Sequence, residues 1–201
     1  MKKHKILLIR HAEISGNAQK RYMGCKSDVP VSESGLTHLQ KVDIDGIGKY
    51  DRIFCGPMKR CVTTAEYLFP DREIQKIDSM TEMDFGLYEG KNYEELKDDP
   101  YYQKWIDSGG TLPFPEGEDM AGFSERSRKA FEEIVDMLND GESAAIVCHS
   151  GNIMGIMSTL TDGSYFGFGV GNLEGFVLEI ECDGEIVNVI SYERLGVGMR
   201  A

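Results

Sequence analysis

The stretch that most constrains this chain is Lys5–Glu13, KILLIRHAE. Four apolar residues, Ile6 to Ile9, run unbroken into Arg10 and His11. A short continuous apolar run predicts a strand buried on both faces, as in a parallel sheet. Its end carries a fixed cation and an imidazole. Ligands bind outside the carboxyl ends of strands in open α/β sheets, so Arg10 and His11 fall where a ligand would be met. Arginine stays charged and forks onto phosphate. A neutral histidine can attack an electrophile. Two ordinary polar residues leaving a core strand would read the same way, so partners elsewhere in the chain must decide.

A second apolar run, Ala144–Cys148, ends in His149-Ser150-Gly151. DRIFC, Asp51–Cys55, predicts another strand. Gly56-Pro57 breaks it, and a helix carrying Arg60, Thr64, Ala65 and Leu68 follows, ending before Pro70. Two strands thus end in histidine, and Arg10 and Arg60 come to the same kind of edge. With backbone N–H groups from a helix beginning near Gly151, they form a candidate anion pocket.

The remaining pattern alternates strands and helices. Residues 12–30 read as an irregular polar loop. Ser32 offers an N-cap to a short helix. Glu73–Ile77 is a weak strand and Thr81–Gly90 a loop. Asn92–Asp107 reads as helix interrupted by Pro100, and Gly109–Gly117 as a second loop. Glu118–Asn139 is the clearest helix, with Phe123, Ala130, Phe131, Ile134 and Leu138 at three- and four-residue spacing; Gly141 offers a stop. Asn152–Leu160 resumes helix. Phe176–Glu181 and Glu185–Glu193 read as strands joined by a hairpin at Cys182–Glu185. The expected fold is α/β: a three-layer α/β/α sandwich with a mainly parallel central sheet and an antiparallel C-terminal strand addition, in a single domain over 1–201.

Charge sets a demand. Lys plus Arg number 22 against 34 Asp plus Glu, a net charge of -12. Such a surface repels nucleic acid and anionic membrane. It also repels a phosphorylated ligand unless the few cations are concentrated in one pocket. The five cysteines, Cys25, Cys55, Cys61, Cys148 and Cys182, are odd in number and none pairs at CxxC spacing. That argues against a disulfide framework or zinc site and for a reducing compartment. The apolar run before Arg10 is too short for a signal peptide, and none reaches the ~20 residues of a membrane span. A cytoplasmic location is expected.

The ordered motifs resemble the histidine phosphatase superfamily, also called phosphoglycerate mutase-like. Arg10-His11-Ala12-Glu13 is similar to that family's Arg-His-Gly-Glu signature. Asn17, Arg21 and Gly24 match the loop after it, and Asp28-Val-Pro30 through Gly35 resembles Asp-x-Pro-Leu-Thr-x-x-Gly. Gly56-Pro57 through Ala65, containing Arg60, resembles Ser-Pro-Leu-x-Arg-Ala-x-x-Thr-Ala. Glu82, Gly86 and Glu89-Gly90 match Glu-x-x-x-Gly-x-x-Glu-Gly, and Val147–Gly151 matches the second histidine element. The resemblance covers nearly the whole chain. Three positions depart from it: Ala12 and Ser150 replace smaller or plainer residues, and Pro115–Glu118 is a degraded Gly-Gly-Glu-Ser-like element. They bear on substrate preference more than on activity.

The resemblance implies a metal-independent phosphomonoesterase acting on a small phosphorylated molecule, with no cofactor. His11 would attack phosphorus and form a phosphohistidine. Arg10, Arg60, Asn17 and His149 would hold the phosphoryl oxygens, since positioning and electrostatics dominate phosphoryl transfer. Glu82 would protonate the leaving oxygen and then activate water, which requires a raised pKa. Arg21 and Gly24 would contact substrate. The small phosphatase branch, including α-ribazole phosphatase-like members, is the nearer likeness. A cofactor-dependent phosphoglycerate mutase is the alternative, although Lys91–Gly117 is acidic on balance where a mutase needs basic residues. A silent phospho-ligand binding module is a second alternative, countered by the presence of both histidines. A homo-oligomer is neither implied nor opposed.

Three other signals fail on spacing or context. Cys55 and Arg60 have four intervening residues where a cysteine phosphatase loop has five. Asp43-Ile-Asp45-Gly46 does not follow a buried strand. Gly167–Gly171 is not GxGxxG. His4 and His38 are expected at the surface. Tyr101, Tyr102 and Trp105 are expected to serve helix packing.

Overall fold

The strand predicted from the opening motif, β1 (Lys2–Arg10), is buried on both sides. Ile6 and Leu8 enter one core cluster, Leu7 and Ile9 the other. All four side chains are fully buried. Burial of each such side chain contributes roughly 1.5–3 kcal/mol, so a one-residue slip of register would be costly on both faces. The computed structural model describes residues 1–184 and 186–196.

The chain continues through α1 (Ser15–Ala18), α2 (Glu33–Gln40) and α3 (Ile44–Ile47) to β2 (Arg52–Cys55). Then come α4 (Lys59–Leu68), β3 (Ile74–Lys76), α5 (Tyr93–Leu96), α6 (Pro100–Asp107) and α7 (Met120–Asp136). It closes with β4 (Ala144–Cys148), α8 (Ser150–Leu160), β5 (Glu174–Asp183) and β6 (Ile186–Gly196). One six-stranded sheet results, in the order β3-β2-β4-β1-β5-β6. β3, β2, β4 and β1 are mutually parallel, and β5 joins β1 antiparallel with β6 antiparallel to β5. Residues of α7 and α8 cover the Ile6/Leu8 face; α2 and α4 cover the Leu7/Ile9 face. This is the expected α/β architecture with its antiparallel C-terminal addition.

Local expectations hold with shifted ends. Ser32 caps α2, its hydroxyl accepting from Gly35 N at 3.0 Å. Pro100 divides the 92–107 region by starting α6, whose Asp99 cap accepts from Tyr101 N and Tyr102 N. The loop after His11 contains one helical turn, α1. Lys59, not Pro57, opens α4, and its N–H donates to Asp28 Oδ1 at 2.8 Å. The Asp28 motif therefore caps, from a distance, the helix that carries Arg60. β5 and β6 pair down to Asp183 opposite Ile186; Glu185 of the expected hairpin lies outside the described residues.

Two expectations are corrected. His4 is buried, its Nδ1 2.9 Å from Glu142 O, because it points to the same face of β1 as the buried Ile6 and Leu8. The last helix begins at Ser150 rather than Asn152, with His149 as its N-cap residue. The peptide N–H groups of that first turn are therefore aimed at the sheet edge where β1 ends.

Candidate active site

The register of two parallel strands makes the site. β1 and β4 are neighbours with Arg10 opposite Cys148, so the next residue of each, His11 and His149, meet. His11 N donates to Cys148 O at 3.0 Å. The two imidazoles lie 5.1 Å apart, edge to face at 67°.

His11 is 3% exposed. Its Nδ1 lies 2.7 Å from Ala12 O. A carbonyl only accepts, so Nδ1 carries the proton and Nε2 keeps its lone pair. Burial, then the Arg60 and Arg10 charges, push the His11 pKa well below the ordinary imidazole value. Ala12 is not among the residues with positive φ, so its Cβ sits there without strain. Ala12 N donates to Thr64 Oγ1 at 2.9 Å, and that hydroxyl donates to Arg60 O at 2.7 Å.

Arg60 and His149 lie beneath His11, and neither side chain is exposed. Arg60 Nε donates to His149 Nδ1 at 3.2 Å; Nη1 donates to Ser27 O, and Nη2 to Met23 O and Gly24 O. Four of its five N–H donors are thereby used. His149 Nε2 is 3.4 Å from Cys61 Sγ. With Nδ1 accepting, Nε2 is the protonated nitrogen. Burial is the first cause lowering the His149 pKa well below its ordinary value, followed by the charge of Arg60. The same burial raises the Cys61 thiol well above its usual range, which keeps it protonated.

The cavity above this pair has a volume of about 230 Å³. Arg10, His11, Asn17, Glu82, Ser150 and Gly151 line its floor. Arg10 Nη1 donates to Val170 O at 2.9 Å, and its Nε is buried without a partner among the described residues. Asn17 Oδ1 accepts from Ile14 N and Asn172 Nδ2, each at 3.1 Å, leaving Nδ2 as its available donor. Glu82 Oε1 accepts from Met83 N at 2.9 Å. Burial raises the Glu82 pKa, outweighing the Met83 N–H and the Arg60 and Arg10 charges that pull it down. A Cβ on residue 151 would collide with Glu82 Oε1, so glycine there admits the carboxyl to the floor.

The remaining expected residues take two different places. Arg21 reaches the cavity wall, but Gly90 O at 2.6 Å, Glu95 Oε2 at 2.7 Å and Gln19 Oε1 at 2.6 Å hold its guanidinium. Gly24 is behind the wall. Its carbonyl accepts from Arg60, its N–H donates to Glu89 Oε1 at 2.9 Å, and a Cβ there would strike Met83 O. The demand set by the chain's charge is met in part: Arg10 lines the cavity and Arg60 lies beneath it, while Glu95 neutralises Arg21 at the wall.

Residues 6–191 match the histidine phosphatase superfamily (branch 1). This chain belongs to the histidine phosphatase superfamily. Its enzyme class is that of the phosphoric monoester hydrolases. Phosphoserine phosphatase 1 of Hydrogenobacter thermophilus is 26% identical over 185 residues, 88% of this chain and 87% of that protein. A phosphoserine phosphatase of Entamoeba histolytica, solved as a mutant in complex with phosphoserine, is 25% identical with a TM-score of 0.78, covering 94% of this chain and 96% of that one. The α-ribazole phosphatase of Shigella flexneri shares the fold, with a TM-score of 0.77 at 20% identity, covering 98% and 100%.

Sequence reasoning about this histidine phosphatase missed several residues. Asn172, within a glycine-rich loop, donates to both His11 O at 2.9 Å and Asn17 Oδ1; no local pattern marks it. Asn152 joins three elements around the site. Its Oδ1 accepts from His149 N at 3.3 Å, and its Nδ2 donates to Thr81 O and Ser127 Oγ at 3.0 Å. Its helical spacing from His149 was the available signal. Trp105 packs in the core as expected but also lines the cavity. No helix among the described residues is long and apolar enough to cross a membrane.

Proposed function

We propose that this histidine phosphatase hydrolyses a small phosphorylated metabolite through a phosphohistidine on His11. The observation that carries this reading is the tied His11 ring: Nδ1 is committed to Ala12 O, so Nε2 is an unprotonated nucleophile at the cavity floor. In the first step Nε2 bonds to phosphorus and the ester P–O bond breaks. Glu82, whose pKa burial raises, gives a proton from its acid form to the departing oxygen. In the second step the Glu82 carboxylate takes a proton from water, the water oxygen bonds to phosphorus, and the P–N bond breaks to release inorganic phosphate. Arg10, Asn17 and the first turn of α8 hold phosphoryl oxygens. Arg60 supplies positive potential from beneath, where exclusion of water strengthens its effect, and neutral His149 completes the packing under the His11 ring.

Hydrolysis is favoured over mutase chemistry by the wall's charges. A mutase must hold a doubly phosphorylated intermediate while it turns. Of the two arginines that line the cavity, Arg10 belongs to the floor and Arg21 is already paired with Glu95. The reaction is tested by rapid quenching with ³²P-labelled para-nitrophenyl phosphate. Wild type is expected to carry an acid-labile, base-stable label on His11. His11→Ala is expected to carry none and to lose about four orders of magnitude in kcat or more. Near-normal turnover by His11→Ala would sink the mechanism.

A further inference from the structure

The floor of the cavity and its roof differ in chemistry, and the roof bears on the part of the substrate that is not phosphate. Rings of Tyr22, Phe85, Trp105, Phe114 and Phe166 form most of it. Met23, Met83, Met120 and Met154 fill the spaces between them, and methionine adapts to irregular apolar shapes. Phe166 is 59% exposed at this wall, an apolar surface that a ligand would cover.

Charged groups are missing where a second anionic group of a substrate would lie. Among the described residues, the only arginines or lysines lining the cavity are Arg10 and Arg21. Arg10 serves the floor. Arg21 is occupied by the Glu95 carboxylate, the Gln19 amide oxygen and the Gly90 carbonyl. A carboxylate or second phosphate would lose water against aromatic rings without a free cation, which is costly. An organic cation is poorly served as well. Tyr22 packs on Phe85 at 5.0 Å and on Phe114 at 5.5 Å, and Trp105 lies 4.9 Å from Phe114 and stacks on Tyr102. Rings engaged with one another make a packed wall rather than an open cage.

We infer that the alcohol this enzyme releases is apolar, an alkyl or aryl group bearing no second charge, and that the aromatic roof selects it. This rests on the phosphomonoesterase reading above and narrows it to a substrate class. Phosphoserine and phosphoglycerate, which carry a carboxylate, are then poor substrates, although phosphoserine phosphatases are among the relatives.

The test is a series of ethyl, butyl and hexyl phosphates with phenyl phosphate, set against O-phosphoserine, 3-phosphoglycerate and phosphocholine. For wild type, kcat/KM is expected to rise about fourfold per methylene until the roof is filled. Butyl and phenyl phosphate should exceed the three charged esters at least tenfold. Phe166→Ala, at an exposed position, should flatten the dependence on chain length while the protein stays folded by its thermal transition. Hydrolysis with a flat or falling series, with a charged ester preferred, or with an unchanged slope in Phe166→Ala overturns the inference and leaves the phosphatase reading standing. Should no ester be hydrolysed, calorimetric binding of the same alkyl phosphates to wild type decides. Binding that tightens along the series keeps the apolar preference and removes the catalytic reading; binding that does not tighten removes both.

Discussion

The floor and the roof of the cavity are built by opposite means. The floor hangs from β1 and β4, whose runs Ile6–Ile9 and Ala144–Cys148 are fully buried, and its polar groups are held by hydrogen bonds. Arg60 alone makes four, to His149 and to three backbone carbonyls. The roof comes mostly from loops and from α6; Tyr22, Phe85, Trp105 and Phe114 are held largely by contact with each other, and Phe166 stands exposed beside them. A network of directed bonds fixes geometry to fractions of an ångström, which phosphoryl transfer needs. An aromatic wall has no such directionality and tolerates a range of shapes. The difference implies that floor substitutions act on kcat and roof substitutions on KM.

The largest break in that comparison should come from Glu82→Gln. It keeps the shape and removes the proton, so kcat for an alkyl ester should fall about 10²- to 10⁴-fold. An ester with a good leaving group, such as para-nitrophenyl phosphate, should lose less in the first step. In wild type the burial-raised pKa of Glu82 sets the basic limb: kcat should decline as pH rises through that value, since the acid form is then lost. A pH profile of Glu82→Gln that keeps the wild-type basic limb would assign the limb elsewhere.

Arg60→Lys should follow, with a loss of about 10²- to 10³-fold in kcat. Lysine keeps the charge but cannot span His149 and three carbonyls. Unfolding in urea should show a loss of about 2–4 kcal/mol, because buried acceptors lose their donor. A kcat near wild type would show that charge alone suffices beneath the floor.

Acid should separate the two regions next. His11 and His149 are buried neutral with pKa values lowered from 6.5. The unfolded chain then binds protons that the folded chain refuses. The stability these groups contribute is fully present above about 6.5 and is lost as pH falls from there toward their lowered values. Each adds at most about 1.4 kcal/mol per pH unit. The urea midpoint of His149→Gln should therefore depend less steeply on pH below 6.5. An unchanged slope would mean that His149 does not titrate differently on folding.

The smallest effect is expected on the wall, from Arg21→Gln. An exposed ion pair such as Arg21–Glu95 contributes about 0–1 kcal/mol. KM for alkyl esters should rise no more than severalfold, with kcat nearly unchanged. A loss of kcat of a hundredfold would place Arg21 with the floor.

Much of the floor was legible in the chain. Ile6–Ile9 ending in Arg10-His11, Ala144–Cys148 ending in His149, and Arg60 after Pro57 are local patterns, and local patterns follow from backbone sterics and burial. The order of the motifs also pointed to Asn17 and Glu82. Less legible were the roles of Arg21 and Gly24, read as substrate contacts. Arg21 is held by Glu95, and Gly24 stands behind the wall, offering its carbonyl to Arg60. Asn172 escaped notice because it returns to His11 from 161 residues away, across a loop with no pattern of its own.

The sequence by itself determined which chemical groups the chain can offer: two imidazoles, each following an apolar strand, three arginines and a glutamate in the loop after β3. Only the tertiary structure decided how they face one another. Inserting β4 between β1 and β2 sets Arg10 opposite Cys148, and that register alone puts His11 beside His149. Burial then decides their protonation, because water excluded from a packed floor cannot stabilise charge on either ring. The same packing decides that Arg60 lies buried below the floor and that aromatic rings from separate segments meet in the roof. A spacing along the chain carries no information about which groups share a dry environment; the packed sheet and its helices do.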